Sequence, residues 1–244
     1  MIDLHSHVLP DLDDGPRTVE ESLEMLRLAA AGGTTDLAAT AHANHQYAFD
    51  PCAVEARLAE LRAAAGPLPR LHYGCELHLT AENIAAVFHS PAAYSIAHSA
   101  YLLIELPDVQ IPPHTEEIFR RLTAEGLRPI LAHPERHSLL QTRCRELETW
   151  IGLGCVVQIT AQSLLGRFGK SARASASELL RRRLVHLVAS DAHDVRHRPP
   201  LLDEARRHVE EHFGAPAAEL LFQQNPAAIL AGDPVSTLAK RRWW

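Results

Sequence analysis

The sequence has no excess of basic residues, no membrane-length apolar run and no paired cysteine motif. Its 24 Lys and Arg stand against 30 Asp and Glu, a formal net charge of -6. A nucleic-acid backbone, bound chiefly through neutralised phosphates, is therefore not an expected partner. No stretch approaches the roughly 20 apolar residues that a bilayer-spanning helix needs. A leader peptide has no room either, because a chemically loaded segment starts at residue 2, so a cytoplasmic protein is expected. The four cysteines, Cys52, Cys75, Cys144 and Cys155, stand apart with no Cys-x-x-Cys among them. That excludes a zinc knuckle and a disulfide framework and fits a reducing compartment. Six residues beyond each cysteine stand Leu58, Ala81, Trp150 and Ala161, so the Cys-x5-Arg signature of cysteine phosphatases is missing too. Internal repeats, low-complexity tracts and linkers are also absent.

Histidine, by contrast, is plentiful, with 16 in 244 residues. The chain opens "MIDLHSH"; read as a strand, it puts Ile2, Leu4 and Ser6 on one face and Asp3, His5 and His7 on the other. Two imidazoles side by side are a metal-type pair. Helical and strand patterns then alternate to the end. "TVEESLEMLRLAAAGG" has helical apolar spacing, a capping box of Thr18 and Glu21, and a stop at Gly32 and Gly33. Strands follow in "TDLAATAH", "LHYGCELHL", "AYLLIELP", "RPILAHPER", "CVVQITA" and "VHLVASDAHD", separated by helices, and the tail from "PLLDEARRHVEEHFG" to "PAAILAG" is helical. About seven strand–helix units imply a single α/β domain, either a parallel barrel or a doubly wound sheet.

Every strand but "CVVQITA" carries a metal-type residue near its C-terminal end: His5 and His7, His42, Glu76, Glu105, His133, then Asp191 with His193. In a parallel barrel those ends converge on the face that carries active sites. Glu76 and Glu105 lie inside apolar runs, where an unpaired carboxylate is costly and a metal ion or an arginine is needed. Asp14 in "LDDGP" belongs to the set more weakly, since Asp-Asp-Gly is also an ordinary turn. Nine imidazole and carboxylate donors without thiolates suit two or three ions of Mn²⁺, Fe²⁺ or Zn²⁺. Clustered ions of this kind polarise phosphoryl oxygens and acidify bound water. Arg136 and Arg198 follow His133 and His193 on loops at the same face, where guanidinium forks grip phosphate. Two further motifs look chemical but are read otherwise. "HVEEH", His208 to His212, sits in a charged late helix and reads as a solvated face. "GRFGKS" lacks P-loop glycine spacing and reads as a flexible loop over the barrel face, from which Arg167 or Lys170 reaches for phosphate.

"MIDLHSH", "DLDDGP", "GCELHL", "AHPERH" and "SDAHD" followed by "RPP" resemble the polymerase-and-histidinol-phosphatase (PHP) superfamily. More closely, they resemble its bacterial capsule- and exopolysaccharide-linked tyrosine phosphatases, whose loop after the sixth strand is similar to "QITAQSLLGRFGK". The resemblance implies a distorted (β/α)7 TIM-like barrel over residues 1–235, with 236–244 as a short basic and aromatic tail, loosely ordered. It implies three ions, commonly manganese: His5, His7, Glu76 and Asp191 on the first, Glu76, Glu105 and His133 on the second, and Asp14, His42 and His193 on the third. Arg136 and Arg198 match the phosphate-binding arginines and, with Asp14 and His42, are the candidate catalytic residues. A metal-bridging hydroxide would attack phosphotyrosine in line, on the tail of a bacterial tyrosine kinase that governs polysaccharide export. The rival expectations are a histidinol-phosphatase-type esterase on the same site and a non-catalytic metal-binding regulatory domain. A homo-oligomer is left open.

Overall fold

The computed structural model describes residues 1–238. The chain from 239 to 244, which holds most of the expected tail, lies outside the described residues. Seven strands run β1 Ile2–Ser6, β2 Asp36–Ala43, β3 Arg70–His78, β4 Tyr101–Glu105, β5 Arg128–Leu131, β6 Val156–Thr160 and β7 Leu187–Ala189. They pair in sequence order and every pairing is parallel. The circle closes just past β1 and β7, where Ser6 bridges Ala192. Two bonds of 2.8 Å lock that seam, His7 N to Ala192 O and Asp191 N to His5 O. The sheet is thus a distorted TIM-like barrel rather than a doubly wound layer.

Helices cover its outside. Helix α1 (Val19–Ala31) starts on Thr18, whose hydroxyl accepts from Glu21 N, while the Glu21 carboxylate accepts from Arg17 N rather than closing a strict capping box. With α2 (Pro51–Ala65) it buries Met25, Leu26, Val54 and Leu58 against Leu37 and Leu71 of the sheet. Helices α3 (Ala81–His89), α4 (Thr115–Ala124) and α5 (Cys144–Gly152) follow β3, β4 and β5. Past β6 a single turn, α6 (Ala161–Leu164), precedes α7 (Gly169–Arg182). Helix α7 begins six residues ahead of "SASELLRRR", so Lys170 is helical and the expected flexible loop shrinks to Leu165–Phe168. Helices α8 (Asp203–Phe213), α9 (Ala215–Glu219) and α10 (Asn225–Ala231) complete the described chain, with a π turn between α9 and Asn225 just ahead of Pro226.

The barrel interior is apolar below and polar above. Ile2, Leu4, Ala38, Leu103, Ile130, Val156 and Leu187 form the lower cluster, closed from beneath by Ile96 and Ile229. Each such buried aliphatic contributes about 2 kcal/mol. Strand β3 adds no side chain to that cluster at Gly74, where a Cβ would stand 2.8 Å from the Thr40 methyl. The two-face alternation expected of β1 fails at one point. Asp3 faces Leu37 but Ser6 faces Ala39, so β1 carries one extra residue as a bulge. Leu4 can therefore join the interior cluster while His5 also reaches inward, to Gln158. The chain after α10 is tied back through Asn225, whose amide donates to His186 O and Ser236 O.

His186, ahead of β7, is buried, and its Nδ1 accepts a 3.1 Å bond from Val157 N. Accepting requires a neutral ring, and burial pushes its pKa down to about 4. Between pH 4 and 6.5 the unfolded chain binds the extra proton, so stability rises with pH across that window. Denaturant unfolding of wild type should lose about 2 kcal/mol more between pH 7 and pH 5 than His186→Asn, which keeps an acceptor without a titrating ring.

Candidate metal centre

The rim at the C-terminal ends of the strands receives all nine predicted donors. Glu76, buried on β3, lies at the centre. Its Oε1 is 3.1 Å from His5 Nε2 and 3.1 Å from His133 Nε2, and its Oε2 is 3.2 Å from His7 Nε2 and 3.1 Å from His42 Nδ1. Asp191 Oδ1 is 3.3 Å from His5 Nε2. Asp14 Oδ1 bridges His193 Nε2 at 3.2 Å and His42 Nε2 at 3.4 Å. Glu105 Oε1 is 3.5 Å from His133 Nε2, and its other oxygen is 2.8 Å from His78. Two of these residues leave their strands in left-handed backbone, His133 at φ 31° and Asp191 at φ 53°. Such conformations cost about 1–3 kcal/mol each and persist where the surroundings over-determine them.

Several contacts suit a cation. The Nε2 atoms of His5 and His7 face each other at 3.3 Å. Both rings have their Nδ1 committed elsewhere, His7 to Asp13 Oδ2 at 2.7 Å and His5 to Gln158 Oε1 at 3.1 Å, which turns each Nε2 toward the centre. His42 Nδ1 and His193 Nε2 are buried and hydrogen-bonded to nothing, although carboxylate oxygens stand nearby. Electrostatics agree. Burial lowers the pKa of His7 and His42, yet Asp13 lifts His7 to about 9, and Asp14 and Glu76 lift His42 to about 11. Burial likewise opposes ionisation of Glu76 and Asp191, and the surrounding imidazoles, joined at Asp191 by both arginines, hold them well below the usual carboxylate range. The carboxylates therefore call for positive charge, and metal uptake there has to displace protons. Among the described residues, donors that could hold an ion gather as His7, Asp14, His42 and His193; as His5, His7 and Glu76; as His5, His133 and Asp191; and as His42, Glu76 and Glu105. This imidazole and carboxylate set suits divalent ions.

Arg136 and Arg198 both meet Asp191 Oδ2, so the two guanidiniums converge on one buried oxygen beside the cluster. Arg167 instead pairs with Glu204 at 3.0 Å and points along the outside of α8. "HVEEH" lies on that same helix, with His208 and His212 stacked on each other and His212 exposed.

Sequence reasoning passed over several supporting residues. Asp13, taken as part of a turn, is buried and receives His7 Nδ1–H, His42 N–H and Gly15 N–H. Gly15 is needed for that placement, since any Cβ there would collide with His7 O. Gln158, unremarked within "CVVQITA", meets His5 Nδ1. Phe168 covers both arginines, its ring centre 4.6 Å from the Arg136 guanidinium carbon and 5.8 Å from that of Arg198. The two-residue step from Val156 would have flagged Gln158 as inward-facing; nothing in the sequence marked Phe168.

A barrel whose mouth is lined with histidines and carboxylates is the architecture of metal-dependent hydrolases. The family model for capsular polysaccharide synthesis CpsB/CapC proteins matches residues 1–231, and the chain belongs to that family. CapC of Staphylococcus aureus is 36% identical over 208 residues, which cover 84% of this chain and 81% of that protein. Tyrosine-protein phosphatase YwqE of Bacillus subtilis is 34% identical, with coverage of 91% and 89%. The crystal structures of YwqE and of Streptococcus pneumoniae CpsB are described as those of metal-dependent tyrosine phosphatases. The matching chain superposes with a TM-score of 0.91 at 31% identity and covers 99% of this chain and 100% of that one. An Escherichia coli phosphotriesterase homology protein shares the fold alone, with a TM-score of 0.61 at 11% identity.

Asp13→Asn should lower metal affinity 10- to 100-fold in a direct titration of stripped protein, because the His7 ring loses the carboxylate that orients it and raises its basicity. An unchanged affinity would place His7 outside the metal sphere.

Proposed function

We propose that the protein is a metal-dependent phosphatase that hydrolyses phosphotyrosine on a partner protein, with a bacterial tyrosine kinase of polysaccharide export as that partner. The observation that carries the reading is the pair of arginines gathered on Asp191 beside the nine-donor cluster. We assign His5, His7, Glu76 and Asp191 to one ion, Glu76, Glu105 and His133 to a second, and Asp14, His42 and His193 to a third, with manganese as the metal. Bound there, the ions would supply Lewis acidity toward phosphoryl oxygens and a water of near-neutral pKa. The chain's own groups do the rest.

Arg136 and Arg198 bind the phosphate as two guanidinium forks and meet the charge that builds on its oxygens. Asp191 aims them from beneath. Asp13 and Gln158 hold His7 and His5 in the tautomer that presents Nε2 to the centre. A tyrosine leaving group has a pKa of about 10, so no strong general acid is required. Two of the four thiols are buried and poor nucleophiles: burial pushes Cys155 up to about 12 and Cys75 well above its ordinary value.

Protein stripped of metal and reloaded with Mn²⁺ should release phosphate from a phosphotyrosine peptide in preference to histidinol phosphate. The His5→Ala, His7→Ala double variant should be inactive, and Arg136→Ala should lose about 100-fold or more in kcat/KM. Preference for histidinol phosphate would move the protein to small-molecule esters. Silence on both substrates would leave a metal-holding regulatory domain.

A further inference from the structure

We propose that Phe168 selects aromatic phosphate esters: part of its ring covers Arg136 and Arg198, and its open surface receives the ring of the leaving group. The inference rests on the phosphatase reading and names the residue that gives it its substrate class.

The segment holding Phe168 is built rather than loose. Gly166 and Gly169 flank it in left-handed backbone, at φ 80° and 89°. Gly166 N donates to Ser163 O at 3.0 Å, Arg167 N to Gln162 O at 2.9 Å, and Gly169 N to Gly166 O at 3.1 Å. The Arg167 side chain pins the turn to Glu204. Phe168 therefore sits at a fixed place, half-buried, with apolar surface left open at a polar mouth. Two guanidiniums brought to one carboxylate oxygen repel each other, and an aromatic quadrupole shared by both offsets part of that repulsion. Among the described residues no other aromatic ring covers either arginine. Arg198 Nε is buried without a partner. A phosphate held by these forks has the Phe168 ring beside it, within reach of a phenyl group one oxygen beyond phosphorus. An alkyl group gains less there, because offset or edge-on packing of two aromatic rings contributes beyond simple burial.

The test reads binding without turnover, so it is separate from the phosphatase reading itself. Benzylphosphonate and ethylphosphonate, in which a CH2 group stands for the ester oxygen ahead of a phenyl or a methyl group, are titrated into Mn²⁺-loaded wild type, Phe168→Leu and Phe168→Tyr, each checked for metal content. The expected result is a phenyl-to-methyl affinity ratio that falls roughly tenfold in Phe168→Leu and is kept in Phe168→Tyr. In steady-state assays of phosphotyrosine peptide the Phe168→Leu loss should appear chiefly in KM. Equal weakening of both phosphonates would mean that Phe168 merely supports the arginines and would overturn the proposal, as would an unchanged ratio. Absence of turnover by wild type, with the ratio behaving as expected, would sink the phosphatase reading and leave the aromatic site standing.

Discussion

One carboxylate governs this structure. Glu76 lies buried at the centre of the barrel mouth with four imidazole nitrogens within 3.2 Å of its two oxygens. A lone carboxylate so placed carries a desolvation penalty of several kcal/mol, and the layout of the rim is the means of offsetting it. Histidines arrive from β1, from β2 and from the turn after β5, and a second buried carboxylate, Asp191, arrives from the turn after β7. The bonds that close the barrel, His7 N to Ala192 O and Asp191 N to His5 O, are the same bonds that bring the first and last strands' donors together. Closure of the fold and assembly of the centre are one event.

That coupling explains where the strain lies. The apolar lower layer of Leu4, Leu103, Ile130 and Val156 supplies burial, and its strands are short. Above it, His133 and Asp191 turn into left-handed backbone, β1 bulges, and Gly15 lets the Asp13 loop press against the His7 carbonyl. Each of these departures from ideal geometry sits at a donor or next to one. Stability won in the lower layer thus maintains strained positions at the rim, the usual arrangement for a site that must be ready before its ligand arrives.

Much of this was legible in the sequence. Strand ends announce themselves because an acid or a histidine interrupts an apolar run, so eight of the nine candidate donors could be named from position, and Asp14 more weakly from its turn. The barrel itself followed from alternation of periods. What stayed hidden depends on contacts between distant segments. Asp13 and Asp14 are equivalent as letters in "DLDDGP", and only the approach of the loop to His7 makes the first an orienting partner. The bulge in β1 is invisible because register is a property of two strands. Phe168 and the early start of α7 were missed because the glycines of "GRFGK" read as flexibility, whereas in the folded chain they shape a fixed turn.

The central claim is that the buried acids of the rim are arranged for cations. It is tested most directly by thermal unfolding of rigorously stripped protein as Mn²⁺ is added, with Glu76→Gln in parallel. Stabilisation of wild type should climb with metal and reach about 2.7 kcal/mol per site at a hundredfold excess over the dissociation constant, while Glu76→Gln gains far less. A wild-type melting temperature indifferent to metal would show that the histidines and carboxylates simply neutralise one another, and would contradict the reading of this mouth as a metal centre.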